Sequence, residues 1–417
     1  MKISRVLVEP IRGGYFYDDQ AAVRSGARSD GGWISGTPLT QGFDAVRIPA
    51  TGIGIGLRLE DDSLVWGDAI SVQYPGVADR DPPLGHHYLP LLRERLVPAL
   101  TGCETSTFRE ADRAVTGILA ECGLTHTAIA YGASQALLAA AARSRDRTMA
   151  EVICREFAFP LTPSPVPIFA QTGELSRGNA DKMIMKRIDA LPHGLINNVL
   201  KFGRNGETFV EYVEWIVARI GLLAPAGDYS PVLHFDLYGI AGQVFGDDDE
   251  RICAYLRRVA EAARPYELRI ETPVIAASRG AQIERLAAIR ARLGRDGVPV
   301  AIVADDWCNT LEDVRAFLAA SACDMVQIKM PDLGSVGNSI EAVGECHRAG
   351  VRAYLGGSCA ETDLSARVAV HIAIATQADV QLAKPGMGVD EGLMIVANEQ
   401  SRLLAELRDR EGAPPAL

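Results

Sequence analysis

From about residue 166 to residue 408 the chain alternates short apolar runs with longer stretches of helical periodicity. The runs are VPIFAQ, ALPHGLIN, VLHFDLYG, ELRIETP, PVAIVAD, DMVQIK, VRAYLGG and DVQLAKP. This alternation specifies an α/β architecture, because parallel strands need a crossover connection and a helix supplies it. Eight runs equal the strand count of a TIM (β/α)8 barrel. Intervening sequences such as DDDERICAYLRRVAEAAR, SRGAQIERLAAIRARLGR and TLEDVRAFLAASA combine apolar periodicity with a polar N-terminal residue able to cap. A doubly wound open sheet would want a Gly-rich phosphate turn after its first strand, and none is there.

The first ~100 residues have a different character. ISRVLVEPI, DAVRIPA, IGIGLRLE and SLVWGDAISVQY read as short strands, and Leu92 to Arg145 reads as helical with an alanine-rich stretch. GIGIG at 52–56 leads into a strand rather than a helix, so a tight turn or close strand packing is expected there instead of a dinucleotide fingerprint. The proline-punctuated FPLTPSPVP at 159–167 breaks every pattern. The expected organisation is an α+β domain at 1–160 followed by a barrel domain at 161–417.

Composition narrows the function. A hydrophobic fraction of 48% with 23% charged residues is that of a globular chain, which excludes disorder. A net charge of -11 without a clustered basic face argues against nucleic acid or an anionic membrane as partner. The N-terminus lacks the apolar core of a secretory signal, and no uncharged stretch is long enough to span a bilayer, so a cytoplasmic location is expected. Eight cysteines without a CxxC pair point to reduced, mostly buried thiols rather than zinc ligands or disulfides.

Chemistry concentrates at the ends of the apolar runs. Lysine is scarce here, six residues among 42 cationic ones, and one of the six, Lys329, ends MVQIK. A desolvated lysine can lose its proton and act as a base, which arginine cannot. Asp236, Glu271 and Asp305 close three successive runs, LHFD, LRIE and AIVAD. Their spacing, like the step to Lys329, fits one strand-helix unit each, so all four side chains fall at the C-terminal mouth of a barrel. Three hard oxygen donors suit a divalent cation such as magnesium. The combination describes metal-assisted proton abstraction.

His193, in LPHGLIN, enters from the side opposite Lys329, whereas His234 is expected deeper in the barrel or behind the ligands. GMGVDEG at 386–392 precedes a helix, where a barrel can bind an anionic group. Lys384, just before it, either neutralises a carboxylate or packs at its strand end. Cys359 lacks a flanking base and is expected to make a polar contact.

VPIFAQTG, LPHGLINNV, LHFDLYG, LRIETP, VADDWCNT, VQIKMPDLG, AYLGGSCAET and LAKPGMGVDEG, together with VQYPGVADRDP near the N-terminus, resemble the 3-methylaspartate ammonia-lyase family of the enolase superfamily. The resemblance covers nearly the whole chain. It implies an N-terminal capping domain, a modified TIM barrel, a homodimer, magnesium and a stimulating monovalent cation such as potassium (K+). It also implies that Asp236, Glu271 and Asp305 are metal ligands, with Lys329 the base for one C3 epimer and His193 the base for the other. Gln73, Gln171, Gln327, Ser358 and Cys359 match substrate-contacting positions, and Phe169, Tyr354 and Leu382 match the wall around the alkyl group. Ser358, Ala360, Leu355 and Asp306 depart from the family's usual residues near the site. The implied reaction is elimination of ammonia from the amino acid 3-methylaspartate to give mesaconate. A different 3-alkyl-aspartate such as 3-ethylaspartate, or racemisation or dehydration of a carboxylate, are the alternatives.

Overall fold

The computed structural model describes residues 1–173, 176–246 and 248–410. The final seven positions of the expected barrel domain, 411–417, lie outside the described residues, as do 174–175 and Asp247.

The N-terminal strands are β1 (Ile3–Asp18), β2 (Arg28–Asp30), β3 (Trp33–Ser35), β4 (Arg47–Leu59) and β5 (Leu64–Ile70). β1, β4 and β5 form an antiparallel sheet in that order, and β2 and β3 make a separate hairpin. DAVRIPA and IGIGLRLE, expected as two runs, belong to one continuous strand, because GIGIG does not turn. Its residues alternate like any strand. Ile53 and Ile55 are fully buried in the core, while a Cβ on Gly56 would fall 2.9 Å from the Trp66 ring, so this glycine makes room for the indole.

The alanine-rich sequence forms the helix Thr127–Ser144, which is buried along nearly all its length. Small residues let it approach β5 closely: a Cβ on Gly67 would lie 2.1 Å from the Gly132 carbonyl oxygen, and one on Gly132 would lie 2.5 Å from the Ala69 nitrogen. The helix Met149–Phe157 follows, begun by a capping box between Thr148 and Glu151. An irregular stretch then carries the chain to β6.

The eight apolar runs are the strands β6 (Ile168–Phe169), β7 (Ala190–Leu195), β8 (Val232–Asp236), β9 (Leu268–Glu271), β10 (Val300–Ala304), β11 (Met325–Ile328), β12 (Arg352–Leu355) and β13 (Val380–Leu382). All are parallel, in sequence order, and β13 pairs with β6 to close a TIM barrel. Each is followed by a helix, ending with Asp390–Arg410. Side-chain caps fix where several of these begin: Asp248 accepts from Glu250 N and Arg251 N, Ser278 from Ala281 N, and Thr310 from Asp313 N with Asp313 reciprocating. Within the ring, Phe169, Ala190, Val303, Met325, Tyr354, Val380 and Leu382 fill a layer of the interior. The barrel is packed below and open for chemistry only at its mouth.

Candidate active site

Going round the mouth, five consecutive strands each present one reactive side chain. His193 lies on β7, Asp236 and Glu271 end β8 and β9, and Asp305 and Lys329 directly follow β10 and β11. β7 and β11 stand four strands apart in a ring of eight, so the histidine and the lysine occupy opposite poles with the carboxylates between them. Both poles line one cavity, together with Asp236 and Asp305. Glu271 is fully buried behind that wall. The strand ends are conformationally unusual: His193, Tyr238, Thr272 and Trp307 have φ of +63°, +47°, +44° and +67°. Left-handed backbone at non-glycine residues costs about 1–3 kcal/mol each and clusters where a site dictates geometry.

Three buried acids this close repel one another. Burial, reinforced by the charge of Asp305, pushes the carboxyl of Asp236 well above the usual range. Burial, then Asp236 and Asp305, do the same to Glu271. Asp305 goes the other way. Burial opposes its ionisation, but Lys329 and Arg80 outweigh that and hold it low. Lys329 Nζ lies 2.7 Å from Asp305 Oδ1 and 2.9 Å from Oδ2, and Arg80 Nη2 donates to Oδ1 at 3.2 Å. Among the described residues, potential ligand atoms of His193, Asp236 and Glu271 all lie within 4.8 Å of one another, a group that does not include Asp305.

The donors nevertheless suit a hard divalent cation. Glu271 Oε1 is buried and finds no hydrogen-bond partner among the described residues, while its Oε2 is bonded to His234 Nε2 at 2.8 Å. Burial keeps the His234 ring neutral, so Nε2–H donates and orients the carboxylate. Asp236 is oriented by the Tyr238 N–H, which donates to Oδ1 at 2.9 Å. His193 is also neutral, its pKa depressed to about 4 by burial, and its Nε2 stands 3.9 Å from Asp236 Oδ2.

The N-terminal sheet roofs the mouth. Gly14 N donates to the carbonyl oxygens of Ala360 and Glu361 at 3.1 and 2.9 Å, and Gln73 N donates to Ser358 Oγ at 2.8 Å. Arg80 ties the roof to the barrel through Nε to Asp332 Oδ2 at 2.8 Å and Nη1 to Asp306 Oδ1 at 2.7 Å, besides Asp305. Such a threefold carboxylate fork is what a buried guanidinium requires.

Gln73, Gln171, Gln327, Ser358 and Cys359 all line the cavity. Gln171 Oε1 is buried without a hydrogen-bond partner among the described residues, leaving an acceptor for a bound group. Phe169, Tyr354 and Leu382 do not line it. They belong to the interior layer beneath, where Phe169 stacks on His234 with ring centroids 4.3 Å apart and meets Tyr354 edge-on at 5.3 Å. The Cys359 thiol donates to Gln73 Oε1 at 3.3 Å, and burial keeps it protonated. No residue of the GMGVDEG segment lines the cavity; Asp390, at the start of the next helix, pairs with Lys182 and Lys186. Lys384 neutralises a carboxylate, that of Glu361.

Residue patterns alone miss Gln20, Tyr74, Arg80 and Tyr238, which also line the cavity. Three of the four come from the roof, where loops and the short helix Gln20–Arg24 carry no periodic signal. In VADRDP the arginine sits between two aspartates and reads as a solvated turn.

The methylaspartate ammonia-lyase N-terminus family matches residues 1–158 and the corresponding C-terminus family matches residues 160–409. The chain is 47% identical to methylaspartate ammonia-lyase 2 of Carboxydothermus hydrogenoformans, covering 99% of this chain and 100% of that one. It is 44% identical to methylaspartate ammonia-lyase of Clostridium tetanomorphum, covering 97% and 98%. Among solved structures it is similar to the Citrobacter amalonaticus enzyme containing (2S,3S)-3-methylaspartic acid, with a TM-score of 0.94, 42% identity and coverage of 98% and 100%. A magnesium complex of Clostridium tetanomorphum β-methylaspartase gives a TM-score of 0.91 at 44% identity, covering 98% and 100%. Muconate lactonizing enzyme of Pseudomonas putida, at 16% identity and a TM-score of 0.61 over 94% and 89%, shares the fold. With two family matches that together span nearly all of its length, and relatives aligned from end to end, this chain belongs to the methylaspartate ammonia-lyase family.

Proposed function

We propose that this protein is a carbon-nitrogen lyase that removes ammonia from 3-methylaspartate. The observation that carries the reading is the opposition of Lys329 and His193 across one cavity, with three carboxylates on the strands between them. A base at each pole can reach each face of a substrate carbon, and the carboxylate girdle can hold the substrate's own carboxylate through a cation.

Asp236, Glu271 and Asp305 would hold magnesium, which as a Lewis acid stabilises negative charge building on the substrate carboxylate. Lys329 Nζ takes the proton from C3. The electron pair of that C–H bond becomes the C2–C3 double bond, the C2–N bond breaks towards nitrogen, and ammonia and mesaconate result. For the opposite C3 epimer, neutral His193 offers its ring nitrogen to the other face. Gln171 Oε1 and Gln73 Oε1 supply acceptors to a bound ammonium, and the roof formed by the N-terminal sheet excludes water. Phe169, Tyr354 and Leu382 lie in the apolar layer beneath the cavity rather than in its lining, and a 3-alkyl group seated deep enough to meet that layer would be favoured over unsubstituted aspartate; 3-ethylaspartate is the next substrate in that series.

A monovalent cation such as potassium, assembly as a homodimer, a cytoplasmic location and a place in amino-acid metabolism complete the proposal. The formal net charge of -11 is unfavourable for a polyanionic partner, and no described helix is long and apolar enough to cross a membrane. The test is the ultraviolet absorbance of a conjugated product, followed with purified protein, magnesium, potassium and (2S,3S)-3-methylaspartate. A magnesium-dependent rise that chelation abolishes is expected. No rise in fully metallated protein would sink the lyase reading and direct attention to racemisation or dehydration.

A further inference from the structure

Asp18 ends β1 and is buried. Arg47, buried as well, donates to it twice, from Nε to Oδ1 at 2.6 Å and from Nη2 to Oδ2 at 2.8 Å. The guanidinium also lies over the rings of Tyr15 and Phe16, 5.4 and 5.0 Å from their centroids, so it has little room to move. A third donor reaches the same carboxylate: Gln73 Nε2, 2.9 Å from Oδ2.

This last contact has a chemical consequence. The two ends of a glutamine amide are close to isosteric but opposite in function, one accepting and the other donating. A carboxylate paired with arginine can only accept, so Gln73 must present its NH2 to Asp18. Its Oε1 then faces the other way, towards the cavity wall it shares with Cys359, whose thiol donates to it. An oxygen facing the cavity accepts from an ammonium group and repels a carboxylate, whereas an amide turned over would do the reverse.

We infer that Asp18, braced by Arg47, is a positioning residue that fixes the polarity of the Gln73 amide and so makes this corner of the cavity select ammonium over carboxylate. The inference rests on the lyase reading of the site. Without Asp18 the amide is free to turn, so a ligand carrying nitrogen loses a partner. Mesaconate, which has none, loses nothing.

The test compares the KM for 3-methylaspartate with the inhibition constant of mesaconate in wild type and Asp18→Leu, which has the carboxylate's approximate size and no acceptor. Because Asp18→Leu strands a buried guanidinium, the charge-neutral double variant Asp18→Leu/Arg47→Met is measured beside it, each with its thermal midpoint. Loss of one hydrogen bond to a charged group predicts a KM raised about tenfold. The mesaconate constant should stay within about twofold in a folded variant, since no contact to it changes. An unchanged KM, or a KM and an inhibition constant that rise together, overturns the inference. A wild-type protein without turnover would instead mark failure of the lyase reading, and the same ratio is then read from calorimetric binding of the two ligands.

Discussion

Lys384 Nζ lies 2.8 Å from Glu361 Oε2, and neither side chain reaches solvent. The carboxylate also accepts from Tyr131 OH at 2.7 Å and from Ser358 N at 2.7 Å, so one buried acid ties the strand after the loop, the loop itself and a helix of the roof. Gly357 completes the arrangement. At φ +84° it sits so close that a Cβ would fall 2.2 Å from Glu361 Oε2 and 2.3 Å from Lys384 Nζ. Ser358 and Cys359 reach the cavity from a loop held by a buried ion pair.

Removing one partner of such a pair leaves an uncompensated charge in the interior, which costs about 3–5 kcal/mol. Lys384→Met is expected to lower the unfolding free energy by that amount in chemical denaturation. Glu361→Gln added to it removes the stranded charge and should return most of the stability, though not the hold on Ser358. A single variant as stable as wild type would show that the lysine is a space-filling residue.

Lys329→Ala should reduce deamination of the preferred epimer by a factor of about 10²–10⁴, the usual effect of losing one positioned base. The fold should be retained, because Arg80 still pairs with Asp305. His193→Ala should spare that epimer's proton abstraction and remove the reaction of the other. Steady-state rates on both epimers check the assignment, and retention of more than about a tenth of the wild-type rate in Lys329→Ala would contradict the general-base role.

Glu271 has one oxygen bonded to His234 and the other without a hydrogen-bond partner among the described residues. If the free oxygen is a metal ligand, Glu271→Ala weakens magnesium binding, and calorimetric titration of the protein with magnesium measures it. His234→Ala, which leaves the ligand in place but frees its orientation, should weaken binding about 10–100-fold. Unchanged affinity in Glu271→Ala would remove it from the ligand set.

The barrel was legible because its signal is repetitive. Eight apolar runs at near-even spacing allow few topologies, and a strand-end carboxylate can be placed at the mouth without knowing any contact. Lys329, Asp236, Glu271 and Asp305 were visible on that ground. The roof was not, because Tyr74 and Arg80 lie in loops and Gln20 opens a five-residue helix, Gln20–Arg24, too short to show a period, so their positions depend on long-range packing. Arg80 meets acids more than 220 residues away in sequence. GIGIG was ambiguous for a different reason: Gly56 answers to the Trp66 ring ten residues on and Gly52 to the Ala69 carbonyl on the neighbouring strand, which no local rule reports. Lys384 could have been read either way until its partner on the neighbouring loop was known.

The buried histidine at the β7 pole makes stability depend on pH in a direction that can be worked out. Burial lowers the His193 pKa from 6.5 to about 4. Between those values the unfolded chain binds a proton on this ring and the folded chain does not, so protons favour unfolding. The stabilisation is complete above pH 6.5 and is lost as pH falls towards 4, by roughly 3 kcal/mol in all. His193→Gln cannot take up that proton. With chelator present to remove any cation, the difference in unfolding free energy between wild type and His193→Gln should therefore be constant above about pH 7 and shrink or reverse between pH 6.5 and 4. A difference that stays flat across that window would mean that the imidazole titrates alike in both states, and that it is not held neutral at the site where it is needed as a base.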